Sequence, residues 1–135
     1  MAVTNDKLVQ QMHQRIKVGD LLGLRKLVPS SAEANTQNRY GWTPLMLAGI
    51  AGNTPIIDFL LSAGAAVGAV NNFGESALAC AALSGVDRAI QTLLDAGAPI
   101  DVRPHGVSLL EYAARGGRYL TTQRHLEVLR KAGAT

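Results

Sequence analysis

The stretch GWTPLMLAGIAGNTPIIDFLLSAGA, Gly41–Ala65, contains two short apolar segments, and a glycine follows each of them. Thirty-three residues later the chain reads GESALACAALSGVDRAIQTLLDAGA, Gly74–Ala98. The two stretches carry the same residue at ten positions; for example, Gly52 aligns with Gly85 and Leu60 with Leu93. A similarity at a fixed period of this length indicates an array of stacked structural units.

Weaker copies of the same unit lie on both sides of this pair. A later copy begins at Gly106 and carries about four extra residues, 118–121, and an earlier copy places DLLGLRKLV after Gly19. We therefore predict a single domain over 1–135 with four units, the first and last degenerate. Their bounds are about 5–37, 38–70, 71–103 and 104–135.

Capping residues and glycines predict two short helices in each unit. Serine, threonine and aspartate cap helix N-termini, and proline fits the first turn. We expect the first helices to start at Thr43-Pro44, Ser76 and Ser108, and the second helices at Asp20, Thr54-Pro55 and Asp87. Glycine commonly ends a helix in a left-handed conformation. The expected ends are Gly52, Gly85 and Gly117 for the first helices, and Gly64, Gly97 and Gly133 for the second.

The apolar positions give each helix one hydrophobic face but give no unit a core of its own. Such units must stack to bury these faces. Small residues on the first helices, such as Ala48, Gly49, Ala81 and Ala82, would allow close approach between layers. The composition agrees, because 47% of the residues are hydrophobic and only 4% are aromatic.

Composition also limits the compartment and the class of partner. A lone cysteine, Cys80, excludes an internal disulfide and a multi-thiolate zinc site, and no stretch approaches the roughly 20 apolar residues of a membrane span. The net charge is +3, but residues 40–100 carry one basic and four acidic groups, so no continuous basic face is predicted. We expect a cytoplasmic protein that binds neither nucleic acid nor membranes.

The reactive residue types are scattered over the units. Catalysis by a nucleophile needs a base and an orienting group in one pocket. Cys80 occupies the slot of Leu47 in the preceding unit, which predicts a buried and inert thiol, while His13, His105 and His125 lie in different units without metal-binding spacing. We expect no enzymatic activity, no metal and no cofactor.

The arrangement of GWTPLMLAGIAGNTPIIDFLLSAGA resembles the ankyrin repeat, and the resemblance covers nearly the whole chain. It implies an all-α solenoid of four stacked helix-turn-helix units with finger-like β-turn hairpins near 33–40, 66–73 and 99–105. The chain departs from the family pattern after Thr-Pro-Leu, where the usual histidine is replaced by Met46, Ala79 and Glu111. Only His13 retains it.

The resemblance further implies binding of another protein through the finger tips and the concave face of the first helices. Positions outside the repeat pattern would supply the contacts: Arg39, Tyr40, Trp42, Ile50, Asn72, Phe73, Glu75, Leu83, His105 and Arg115. We expect an aromatic and aliphatic patch with Arg39, Glu75 and Arg115 at its rim. Tyr40 and Phe73 could instead pack one finger against the next.

Three modes of action are compatible with such a surface. The protein could be a general binding module, a dedicated inhibitor or immunity-type protein that covers the active site of an enzyme or toxin, or a subunit that associates with itself. The sequence does not identify the partner protein.

Overall fold

The computed structural model describes residues 4–115 and 124–135, which form nine α-helices and one 3-10 turn. Gly117 and the insertion 118–121 lie outside the described residues. The elements are α1 Asp6–Lys17, α2 Leu21–Leu27, α3 Ser31–Ala34, α4 Pro44–Ala51, α5 Thr54–Ser62, α6 Ala77–Ser84, α7 Asp87–Asp95, the 3-10 turn Pro104–Gly106, α8 Leu109–Arg115 and α9 Arg124–Lys131.

The helices pack in four layers, as the repeat predicted. Within layers, α1 contacts α2, α4 contacts α5, α6 contacts α7 and α8 contacts α9. Between layers, the first helices stack in the order α1, α4, α6 and α8, and α5, α7 and α9 stack beside them. The described residues contain only isolated β-bridges, Thr4 with Gln37 and Val70 with Ser76. The all-α solenoid is therefore confirmed.

Helices α4 and α6 make the most extensive contact in the fold, and small residues make it possible. A Cβ atom added at Gly49 would lie 2.8 Å from the carbonyl oxygen of Ala77. Ala48 on α4 and Ala81 on α6 are fully buried. The predicted role of small residues in close layer packing is thus confirmed in the centre of the array.

Four of the six predicted helix caps are confirmed. The side chains of Thr43, Ser76, Asp20 and Ser108 accept hydrogen bonds from backbone N–H groups three residues later. Helices α5 and α7 do begin at the predicted residues, Thr54 and Asp87, but the capping side chains predicted for them are wrong. Asn53, rather than Thr54, caps α5 by accepting from Ile56 N at 3.1 Å. Val86 precedes α7 without a side-chain cap, and Asp87 is the first residue of that helix.

The short helix α3 lies at the beginning of the expected first finger, 33–40, and the repeat pattern did not predict it. Ser30 caps it by accepting from Ala32 N at 3.3 Å. The Asn35 side chain that follows joins the first two units, because it donates to Gly64 O at 2.9 Å and accepts from Ala66 N at 2.8 Å. The finger therefore begins after Asn35.

Among the described residues, no helix combines the length and the apolar composition that crossing a bilayer would require.

Candidate protein-binding surface

Two asparagines hold the fingers of the second and third units in shape. The Asn38 side-chain oxygen accepts from Tyr40 N at 2.9 Å and Trp42 N at 3.0 Å. In the next unit, the Asn71 oxygen accepts from Phe73 N at 2.9 Å and from the following Glu75 N at 3.0 Å. An asparagine that bonds to its own following backbone fixes a tight turn. These turns place Tyr40 and Phe73 at equivalent finger tips.

Neither asparagine belongs to the surface predicted from the sequence, although the sequence carries a signal for both. Asn38 and Asn71 lie one repeat period apart, and each stands three positions before a glycine, Gly41 or Gly74. Both glycines have positive φ. An asparagine and a glycine at this spacing predict a turn.

Backbone hydrogen bonds connect the successive fingers in series. Asn72 N donates to Tyr40 O at 2.9 Å, and His105 N donates to Phe73 O at 2.8 Å. Between the first two units, the corresponding hydrogen bond runs from Arg39 N to the Asp6 carboxylate at 2.7 Å. The exposed finger residues therefore belong to one continuous edge of the molecule.

A groove of about 610 Å³ lies between the first unit and the second. Four residues of the predicted surface line it: Arg39, Tyr40, Trp42 and Ile50. Tyr40 is 51% exposed, Ile50 is 45% exposed and Trp42 is half-buried. These side chains give the groove an aromatic and aliphatic wall that is open to solvent.

The other wall of the groove consists largely of residues of the first unit that lie outside the predicted surface. The additional lining residues are Asp6, Val9, Gln10, His13, Asn38 and Leu47. Asp6 and Val9 stand one repeat period before Arg39 and Trp42. The repeat register could therefore have identified this wall, had the first unit not been treated as a degenerate one.

An ion pair crosses from the first unit to the second at the groove. Arg39 Nε lies 2.7 Å from the Asp6 carboxylate. This hydrogen bond and the one from Arg39 N both lower the pKa of Asp6.

His13 also lines the groove, and burial and the positive charge of Lys17 lower its pKa. The neutral form of the His13 imidazole is consequently favoured at pH 7.

Glu75 does not lie at an exposed rim, and that expectation is wrong. The residue is 5% exposed, and its carboxylate accepts from Asn71 Nδ2 at 3.0 Å and from the Tyr112 hydroxyl. A carboxylate is tolerated in the interior when hydrogen bonds satisfy it. Burial and the hydrogen bond to Glu75 raise the pKa of Tyr112, so that its hydroxyl remains a donor.

An aromatic stack covers this buried carboxylate on the finger side. The Phe73 and His105 rings have centroids 5.6 Å apart, and those of His105 and Tyr112 are 5.8 Å apart. His105 Nε2 lies 3.6 Å from Glu75 Oε2. Phe73 thus packs on the next finger, the alternative that was left open for it, yet 45% of its surface remains exposed.

The remaining predicted residues lie between or beyond these two clusters. Asn72 is exposed and its side-chain amide donates to Arg39 O at 3.4 Å, so it joins the first and second fingers. Leu83 is partly buried against the core. Arg115 is exposed and pairs with Glu111 on the same helix. The structure therefore brings together seven of the ten residues, four around the groove and three around Tyr112.

Cys80 is fully buried in α6. Burial raises the pKa of its thiol, and the nearby negative charge of Glu75 adds to this effect. The thiolate is the nucleophilic form of cysteine. A buried thiol held in its protonated form is a packing residue, as the repeat slot predicted.

The described residues contain no group of three or more His, Cys, Asp or Glu side chains suited to a metal ion.

The burial of Cys80 predicts a large difference in thiol reactivity between native and unfolded protein. We expect a thiol reagent to label the native chain at least about a hundredfold more slowly than the urea-unfolded chain, because labelling requires local opening. Mass spectrometry of timed samples measures both rates, and the Cys80→Ala variant corrects for background. Equal rates would contradict the burial of the thiol.

Comparisons with known proteins agree with this architecture. A family model described as ankyrin repeats in three copies matches residues 12–104 and, in a second overlapping alignment, 51–130. The chain is 38% identical over 50 residues to "Ankyrin repeat, SAM and basic leucine zipper domain-containing protein 1" from Mus musculus and to the protein of the same name from Rhinolophus ferrumequinum. The matched segment covers 37% of this chain and 10% of either relative.

Proposed function

Because the chain belongs to the ankyrin-repeat family, whose repeats are generally protein–protein interaction modules, we propose that it is a non-catalytic module that binds a partner protein through its finger tips and concave face. The groove beside Trp42 carries this proposal. It exposes Tyr40 and Ile50 next to a half-buried tryptophan on one face of the molecule. Tryptophan, tyrosine and arginine are the side chains that most often anchor protein interfaces.

The rigidity of the fingers supports the same proposal. A binding surface that is ordered before association loses less conformational entropy when the partner arrives. The Asn38 turn fixes the backbone around Tyr40 and Trp42, and the Asp6–Arg39 pair fixes the two walls of the groove relative to each other. The groove is therefore largely preorganised for its partner.

We expect Trp42→Ala to weaken partner binding by about thirtyfold or more, because truncation of a central aromatic anchor typically costs at least about 2 kcal/mol. Arg115→Ala, which removes a solvent-exposed charge, should weaken it less than about fivefold. Affinity purification with mass spectrometry identifies the partner, and calorimetry with the purified partner then measures both affinities.

The control for this experiment is Leu22→Ala on α2, since Leu22 is 74% exposed and lies outside the groove. Circular dichroism should show unchanged helix content in all variants. Should Trp42→Ala unfold the chain, Ile50→Asp provides the test, because Ile50 is exposed. Undiminished affinity in a folded Trp42 or Ile50 variant would contradict the proposed binding face.

A further inference from the structure

We propose that the partner segment bound on this face is an extended stretch with apolar residues at its centre and carboxylates on both sides of them. This inference rests on the proposed function and specifies the chemistry of the partner. Two independent features carry it: the order of side chains across the four first helices and the separation of charge between the two sides of the array.

One repeat slot near the C-terminal end of the first helices forms a strip across the concave face, which we call the inner strip. It consists of Lys17, Ile50, Leu83 and Arg115, one from each successive unit. The two central members are aliphatic, and the two outer members are basic. Lys17 and Arg115 are exposed, Ile50 lines the groove, and Leu83 is partly buried. A complementary segment would be apolar in the middle and acidic towards its ends.

The charges of the surrounding residues favour the same partner. The segments that run from the finger tips through the first helices, 6–17, 36–51, 69–84 and 102–115, carry six basic side chains and three carboxylates, and the exposed Asp101 directly precedes the last of them. All three carboxylates are engaged, because Asp6 pairs with Arg39, Glu111 pairs with Arg115 and Glu75 is buried.

Three basic side chains in these regions, Lys7, Lys17 and Arg103, have no carboxylate partner among the residues that the structure describes. All three are exposed. This side of the molecule therefore presents uncompensated positive charge around an apolar centre, and such a surface attracts an acidic partner and repels a basic one.

The opposite side of the first three units has the reverse charge. The segments 20–34, 53–68 and 85–101, which hold α2, α3, α5 and α7, carry three basic and six acidic side chains. The last second helix differs, since residues 124–135 carry three basic groups and one acidic group. An acidic segment is consequently directed to the fingers and first helices rather than to α2, α5 or α7.

The distance between the outer members of the inner strip defines the length of the partner segment. Helices pack about 8–10 Å apart, so four layers place the outer members of the inner strip about 25–30 Å apart. An extended chain advances about 3.3 Å per residue, so eight or nine residues cross the strip. A segment of this length places apolar side chains beside Ile50 and carboxylates beside Lys17 and Arg115.

The test is a selection from a library of random twelve-residue displayed peptides against the whole chain. We expect the selected peptides to be acidic, with carboxylates on both sides of an aliphatic or aromatic centre. Lys17→Glu should weaken a selected peptide by about fivefold or more, because it replaces an attraction with a repulsion. Lys26→Glu on α2 makes the same charge change on the opposite side, and its effect should stay below about twofold.

The possible failures separate this inference from the proposed function. Peptides that require Trp42 or Ile50 but are neutral or basic would overturn the inference and leave the binding module intact. The inference would also be overturned if a single-stranded RNA probe bound tightly, if Lys17→Glu abolished that binding, and if acidic peptides did not compete with the probe. A library that yields no peptide sensitive to Trp42→Ala or Ile50→Ala would count against the surface itself, and therefore against both.

Discussion

Replacing Leu78 by alanine is expected to lower the free energy of unfolding by about 2–5 kcal/mol, the range typical of a buried leucine that leaves a cavity. Leu78 is 0% exposed and lies on α6, which packs between α4 and α8. Its neighbours on the same helix, Ala77, Ala79 and Ala81, are small and buried, and they have no side-chain length with which to fill the space. The loss should therefore lie in the upper part of the range.

Urea denaturation followed by circular dichroism measures this loss. The matched control is Leu22→Ala, because Leu22 is an exposed leucine in a helix of the same array and should cost less than about 1 kcal/mol. Similar losses in the two variants would show that α6 is not the centre of the core.

Gly74→Ala is expected to cost about 2–5 kcal/mol of stability. Gly74 has φ of +78°, which an alanine adopts at a cost of about 1–2 kcal/mol, and a Cβ there would lie 2.8 Å from the Arg103 carbonyl oxygen. Backbone cannot yield as a flexible side chain can, so the clash adds about 1–3 kcal/mol. The second and third fingers would have to separate.

Gly85→Ala isolates the conformational part of this cost. Gly85 has φ of +69°, but nothing lies within 4 Å of an added Cβ, so only the left-handed conformation is penalised. Its loss in the same denaturation measurement should be about 1–2 kcal/mol. Since Gly74 positions Phe73 and its contact with His105, its variant should also bind the partner more weakly, whereas Gly85→Ala should not. Equal effects of the two variants would contradict the close approach of the fingers.

The repeat period predicted the layers, the core and the buried thiol, because residues one period apart occupy equivalent places in successive units. They therefore share a similar environment as well as a similar residue type. Leu45, Ile57 and Leu60 are buried, and so are their counterparts Leu78, Ile90 and Leu93. The identity of a helix cap is less predictable, because neighbouring polar residues compete for one capping position. Asn53 caps α5 in place of Thr54, and no side chain caps α7.

The candidate surface was predicted in part. A repeat slot shows where a residue sits but not which long-range partner its side chain reaches. Glu75 occupies the slot of Trp42, yet it is buried because Tyr112, in the next unit, donates a hydrogen bond to it. The wall of the groove that the first unit supplies was not predicted, for a different reason. Its residues diverge from the repeat, and only their register relates Val9 to Trp42.

The ion pair between Asp6 and Arg39 links the binding of a partner to the docking of the first unit on the second. The groove exists only while the first unit is docked on the second. The apparent dissociation constant of a partner therefore equals its intrinsic dissociation constant divided by the fraction of molecules in which the two units are docked. A partner that contacts both walls would shift that equilibrium towards the docked form by mass action. Weakening the contact between Asp6 and Arg39 would therefore reduce affinity even for a partner that touches neither residue, and a bound partner would protect α1 against local opening.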